Sequence, residues 1–207
     1  MPLRHFSLPL PLANASLHGQ LLCPATARRL FVIAKPHRIA INDPVAQYFL
    51  QAGEAILAAE LLTEREAAYA EATQDTARLT ARLLQLLEFI DADADTQNLD
   101  LVLLASEDVS PAALRAAARR DAQVAALVAY GGLIDRAGRE ALQLLRAPLL
   151  FLCAAEDHYA RAAWQRARIH LSCPYASQVL APGAETAAQI AAWLTERPTQ
   201  AAHLRRL

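Results

Sequence analysis

The sequence predicts an α/β protein, with a doubly wound, mostly parallel sheet flanked by helices. Three observations carry this. Apolar runs of strand length recur along the chain at Leu30–Ala34, Ala55–Ala59, Leu101–Leu104, Val124–Val128 and Pro148–Cys153. They are continuous rather than alternating, as a strand buried on both faces requires. Segments with helical spacing or helix-start signals separate them, and strand–helix–strand alternation implies right-handed crossovers between parallel neighbours.

Each element has a local reason. Residues 6–23 are short apolar segments broken by prolines and Gly19, suited to edge strands. After the Leu30–Ala34 strand and a loop, Asp43-Pro44 supplies an N-cap and a first-turn proline for a helix ending near Gly53. Residues 63–76 are polar and alanine-rich, irregular or weakly helical. From Ala77 to Ile90, Leu79, Leu83, Leu86, Leu87 and Ile90 share one helical stripe. Asp91 to Asn98 reads as an acidic surface loop. Ser110-Pro111 repeats the cap-plus-proline signal and opens a helix to about Arg120. Arg139–Leu145 is a short helix and His158–His170 another. Ser177–Leu180 is a last strand, and Glu185–Glu196 is a final helix with Ile190, Trp193 and Leu194 inward.

Composition narrows the function classes. At 207 residues, 55% hydrophobic and 20% charged, the chain is expected to form one globular domain spanning 1–207. A formal net charge of −1 offers no electrostatic case for nucleic acid or an anionic membrane. No run reaches the about 18 apolar residues of a membrane-spanning helix. Arg4, an apolar stretch and Ala13-Asn14-Ala15 imitate a signal peptide, but Pro9 and Pro11 break the helical segment such a signal needs, so none is expected. Cys23, Cys153 and Cys173 show neither C-x-x-C spacing nor an even count. The expectation is therefore a reduced, cytoplasmic protein without disulfides, structural metal or cofactor.

Several landmarks fall in order: Glu60-Leu-Leu-Thr-Glu-Arg-Glu66, the strand-to-helix junction Leu101–Leu114, Val124-Ala-Ala-Leu-Val-Ala-Tyr-Gly-Gly132, Ala147–Asp157 and Pro182-Gly183-Ala184. Together they resemble the α/β-hydrolase superfamily, and within it the dienelactone-hydrolase-like branch of small bacterial proteins, some fused to phosphoribosyltransferases. The resemblance runs from about Leu17 to Trp193. It implies a minimal α/β-hydrolase fold with no cap domain. It also implies a site built from an elbow nucleophile, a histidine base, an orienting acid and backbone oxyanion donors.

On that pattern Glu107 occupies the nucleophile position, flanked by Ala105 and Val109 where small residues are needed. Glutamate does not replace serine as an activated acyl nucleophile, and Val109 is β-branched where glycine is expected. Making Ser106 the nucleophile instead would require small residues at Leu104 and Asp108. Asp157 matches the acid position, and an aspartate just before His158 also reads as a helix cap. The base position holds Glu185 and Thr186. His158 beside Asp157 and His37 near the cleft mouth are the histidines in range. The loop after Leu30–Ala34 is Lys35-Pro36-His37-Arg38, and proline has no N–H to donate.

The expected function is a non-catalytic α/β-hydrolase homologue. It would hold a small ligand in the remnant cleft or stabilise a partner, including as a homo- or hetero-oligomer. The alternative is a divergent hydrolase of ester- or lactone-like substrates, with Glu107, Asp108, Asp157 and His158 clustered at strand ends to activate water or hold a divalent metal. A nucleotide-binding domain is disfavoured, because Gly131-Gly132 lacks a G-x-G-x-x-G or P-loop context.

Overall fold

The computed structural model describes residues 3–10, 15–38, 41–182 and 184–196. The elements are β1 (Arg4–Leu10), β2 (Ala15–Leu22), β3 (Arg29–Lys35), α1 (Pro44–Gln51), β4 (Ala55–Glu60), α2 (Glu64–Ala67), α3 (Ala70–Thr73), α4 (Thr76–Ala92) and β5 (Asp100–Ser106). They continue with α5 (Ser110–Arg119), β6 (Val124–Tyr130), α6 (Arg139–Leu144), β7 (Leu149–Cys153), α7 (His158–Arg168), β8 (Tyr175–Val179) and α8 (Ala184–Glu196). One eight-stranded sheet runs in the order β1-β2-β4-β3-β5-β6-β7-β8. The β1/β2 and β2/β4 pairs are antiparallel, and every later pairing is parallel.

The apolar runs explain the layering. In β3, Val32 and Ala34 face one core with α4, α5, α6 and α7, while Phe31 and Ile33 face the other with α1 and α8. A strand sandwiched in this way needs apolar side chains at every position, which is why its sequence does not alternate. Phe31 stacks on Phe49 of α1 at 3.8 Å, and Phe151 of β7 stacks on Trp164 of α7 at 4.9 Å. Each fully buried leucine in these layers contributes about 1.5–3 kcal/mol. The α4 stripe Leu79, Leu83, Leu86, Leu87 and Ile90 is buried as its spacing predicts.

The topology positions the site. From β3 the chain crosses over α1 to β4 on one side, then returns past α4 to β5 on β3's other side. The carboxyl ends of β3 and β5 therefore flank a switch point, where open α/β sheets form their crevices.

Three local expectations change. Ser110 is not an N-cap: a 3-10 turn at Glu107–Val109 runs straight into α5, so helical geometry begins before it. Its buried hydroxyl instead donates back to the Ala105 carbonyl at 3.3 Å. The Asp91–Asn98 stretch is not simply surface. Arg4 of β1 bridges Asp93 and Asp95 at 2.6 and 3.0 Å, and Thr96 is buried with its hydroxyl on the Ile90 carbonyl. The last strand starts two residues earlier, because Tyr175 pairs with Leu149 at the head of β7. Ala13-Asn14 and Gly183, named above, lie outside the described residues.

Candidate active site

The junction after β5 forms a sharp elbow with Glu107 at its apex. Glu107 takes φ +44°, a left-handed conformation that costs a non-glycine residue about 1–3 kcal/mol and persists only where its surroundings impose it. The surroundings do impose it. Gly132, at φ +79°, brings the end of β6 so close that a Cβ there would lie 2.1 Å from the Glu107 carbonyl oxygen. The Glu107 side chain itself is exposed, and Ser106 before it is half-buried. Val109 is wholly buried beneath the elbow as a packing residue.

Asp157, the residue the resemblance assigns as the acid, lies beside the same glycine pair. The Asp157 Oδ2 is 3.8 Å from where a Gly131 Cβ would stand, and Oδ1 accepts the Ala160 N–H at 2.9 Å. Asp157 is thus the N-cap of α7. The structure brings Glu107 and Asp157 to the two residues of one turn, Gly132 and Gly131. His158 projects from the first turn of α7 into solvent, its backbone N–H bonded to the Glu156 carbonyl. Among the described residues no group of three His, Cys, Asp or Glu side chains is arranged to hold a metal ion, so the metal version of the strand-end cluster gains no geometric support. Cys153, at the end of β7, is held as a thiol: burial pushes it up, the Asp157 charge pushes it further, and Arg161 offsets only part of this.

At the base position Glu185 is exposed, and the buried Thr186 hydroxyl donates to the Ala181 carbonyl. The loop after β3 is also engaged structurally. Arg38, at φ +59°, donates its N–H to Glu60 Oε1 at 3.0 Å, and His37 Nδ1 lies 3.6 Å from the same oxygen. Pro36 contributes only a carbonyl, which accepts the Leu62 N–H.

A cavity of about 180 Å³ opens at the switch point, lined by Ile33, Val45, Leu104, Ala105 and Ser106, with Lys35, Asp43 and Tyr130 supplying the polar groups. Lys35 Nζ sits 3.2 Å from Asp43 Oδ2, and Asp43 Oδ1 caps α1 through the Val45 N–H at 2.9 Å. Tyr130 is half-buried, but its hydroxyl oxygen is out of solvent and has no hydrogen-bond partner among the described residues. Burial, and secondarily the Asp43 charge, push that hydroxyl far above the usual tyrosine range, so it stays a neutral donor. Lys35 and Tyr130 carried no individual signal in the sequence, and Asp43 was legible only as a cap. A larger groove of about 650 Å³ lies at the opposite end of the sheet, lined by residues such as Leu101, Val124 and Pro148 at the amino ends of β5, β6 and β7. The cavity at the carboxyl ends is the candidate, because that is where strand termini and helix starts converge polar groups.

A dienelactone hydrolase from Anabaena variabilis superposes with a TM-score of 0.76 at 25% identity, covering 94% of this chain and 96% of its own. This chain belongs to the α/β-hydrolase superfamily. Within the superfamily it resembles the dienelactone-hydrolase-like branch. A cold-adapted esterase from an Arctic intertidal metagenomic library gives a TM-score of 0.73 at 16% identity, covering 94% and 93% of the two chains. A lipase/esterase from Lactobacillus plantarum gives 0.69 at 13%, covering 95% and 98%. These two likenesses concern the fold alone. No family model matches the chain, and no curated protein matches it. No described helix is long and apolar enough to cross a membrane.

Proposed function

We propose that this chain is a single-domain, non-catalytic α/β-hydrolase homologue that holds a small ligand in the cleft above its elbow. The observation that carries this reading is an elbow kept in its strained conformation with a carboxylate, Glu107, at the apex. A glutamate there has no hydroxyl or thiol to acylate, and its negative charge repels the oxyanion that acyl transfer must develop. Supporting it, the Arg38 N–H is bonded to Glu60 and Asp157 is bonded to the first turn of α7. The loop N–H at Arg38 and one oxygen of Asp157 are thus engaged in holding local structure. The Gly131-Gly132 turn then acts as the packing partner of the elbow, consistent with retention for architecture.

A divergent hydrolase of ester- or lactone-like substrates is the second reading. It is favoured by the proximity of Asp157 and the Glu107 backbone to one glycine pair, and by the structural likeness to a dienelactone hydrolase and an esterase. The purified protein with p-nitrophenyl acetate and butyrate separates the two. The first reading expects no hydrolysis above a heat-denatured control. Turnover lost in Glu107→Gln, Asp157→Asn or Ser106→Ala would overturn it and establish the second.

A further inference from the structure

The Lys35, Asp43 and Tyr130 cluster contains a mismatch. Asp43 has one carboxylate oxygen committed to the α1 N-terminus and the other to Lys35. Tyr130, which feels the Asp43 charge, has a buried hydroxyl with no acceptor among the described residues. A buried hydroxyl without a partner is disfavoured, and Asp43, the carboxylate lining the same cavity, is occupied by Lys35. Lys35 keeps 30% of its side chain exposed, so its ammonium can reach an incoming anion as well as Asp43. The rest of the cavity is walled by Ile33, Val45, Leu104 and Ala105, and its volume of about 180 Å³ suits one ring or a short branched chain. For scale, an apolar cavity of about 150 Å³ holds one benzene molecule.

We propose that this cavity binds a small monocarboxylate with an apolar body, its carboxylate taking Lys35 from Asp43 and its body filling the space against Ile33, Val45 and Leu104. The inference rests on the ligand-binding reading above and names the ligand class for that cleft. Once Lys35 turns to the ligand, Asp43 Oδ2 is released to accept from the Tyr130 hydroxyl, while Oδ1 stays on the Val45 N–H. One exchange of partners then satisfies every polar group of the cluster: the ligand carboxylate by Lys35, Asp43 by Tyr130 and the helix N-terminus, and Tyr130 by Asp43. A neutral ligand of the same shape leaves Lys35 on Asp43 and Tyr130 unpaired. A cationic one meets Lys35 directly. The cluster therefore selects by charge, and the cavity by size.

Benzoate, benzyl alcohol and benzylamine are titrated separately into the full chain and followed by isothermal calorimetry and thermal shift. Saturable benzoate binding is expected, at least tenfold tighter than benzyl alcohol, with no benzylamine binding. Lys35→Met should weaken benzoate at least tenfold. Tyr130→Phe should weaken benzoate severalfold without lowering the melting temperature of the free protein, since its hydroxyl has no partner there. Asp43→Asn, which keeps an N-cap side chain but frees the lysine, should tighten it. Equal binding of benzoate and benzyl alcohol, or benzoate binding unchanged in Lys35→Met, would refute the carboxylate class while leaving the ligand-binding cleft standing. No saturable binding of any of the three probes would overturn both.

Discussion

Replacing Gly132 with alanine tests whether the elbow is held by backbone contact rather than by side-chain chemistry. Two costs are expected. At φ +79° an alanine sits in the left-handed region, which costs about 1–2 kcal/mol. In addition its Cβ would stand 2.1 Å from the Glu107 carbonyl oxygen, and the carbonyl carbon and Cα lie at 2.7 and 2.9 Å. These are backbone atoms of a turn packed over the wholly buried Val109, so they cannot swing aside as a side-chain tip would. Forced backbone displacement of this kind costs about 1–3 kcal/mol more. Gly53→Ala isolates the first cost: Gly53 has φ +82°, but no atom of the described residues lies within 4 Å of where its Cβ would be. Urea denaturation should therefore show Gly53→Ala destabilised by about 1–2 kcal/mol and Gly132→Ala by about 2–5. Thermal midpoints in a chain of this size move by about 2–4 °C per kcal/mol. If Gly132→Ala costs no more than Gly53→Ala, the elbow is not clamped by β6 and the architectural account of this junction fails.

Other outcomes follow from single contacts. Asp157→Ala should lose about 0.5–2 kcal/mol of stability by uncapping α7, whereas Asp157→Asn, which still accepts the Ala160 N–H, should stay within a few tenths. Leu103→Ala, at a fully buried position of β5, should cost about 2–5 kcal/mol in the same denaturation assay. Burial acts to raise the Glu66 carboxyl, but the Thr63 N–H and hydroxyl together with Arg82 and Arg78 outweigh it and hold it below its ordinary value. A depressed folded value means that this stabilisation is present above the unfolded carboxylate's titration, near pH 4.5, and is lost as pH falls through the lower folded value. Denaturation midpoints at pH 7 and pH 3 should differ less in Glu66→Gln than in the parent. An equal pH response in the two proteins would contradict this.

The layered fold was legible because burial on both faces leaves a direct trace: β3, β5 and β7 are uninterrupted apolar runs, and α4 carries its contacts at helical spacing. Asp43 and Asp157 were readable as caps for the same reason, since capping is a contact between residues two or three apart. The site was only half legible. Motif order singled out Glu107, which the structure holds at φ +44°, and Asp157, which stands beside the same glycine pair. Ser110, by contrast, was misread, because the 3-10 turn that makes it part of the helix depends on how β5 ends against β6. The pairing of Lys35 with Asp43 beside the Tyr130 hydroxyl left no sequence trace, because those residues come from different strands and a helix start.

Local physics, then, determined which segments are strands and helices, and which chemical groups stand at the ends of β5 and β7. Only the tertiary structure decided that the strained elbow survives under Glu107. That conformation is imposed by the Gly132 backbone, brought there by the parallel pairing of β5 with β6, and a chain read residue by residue does not contain the distance between two strands.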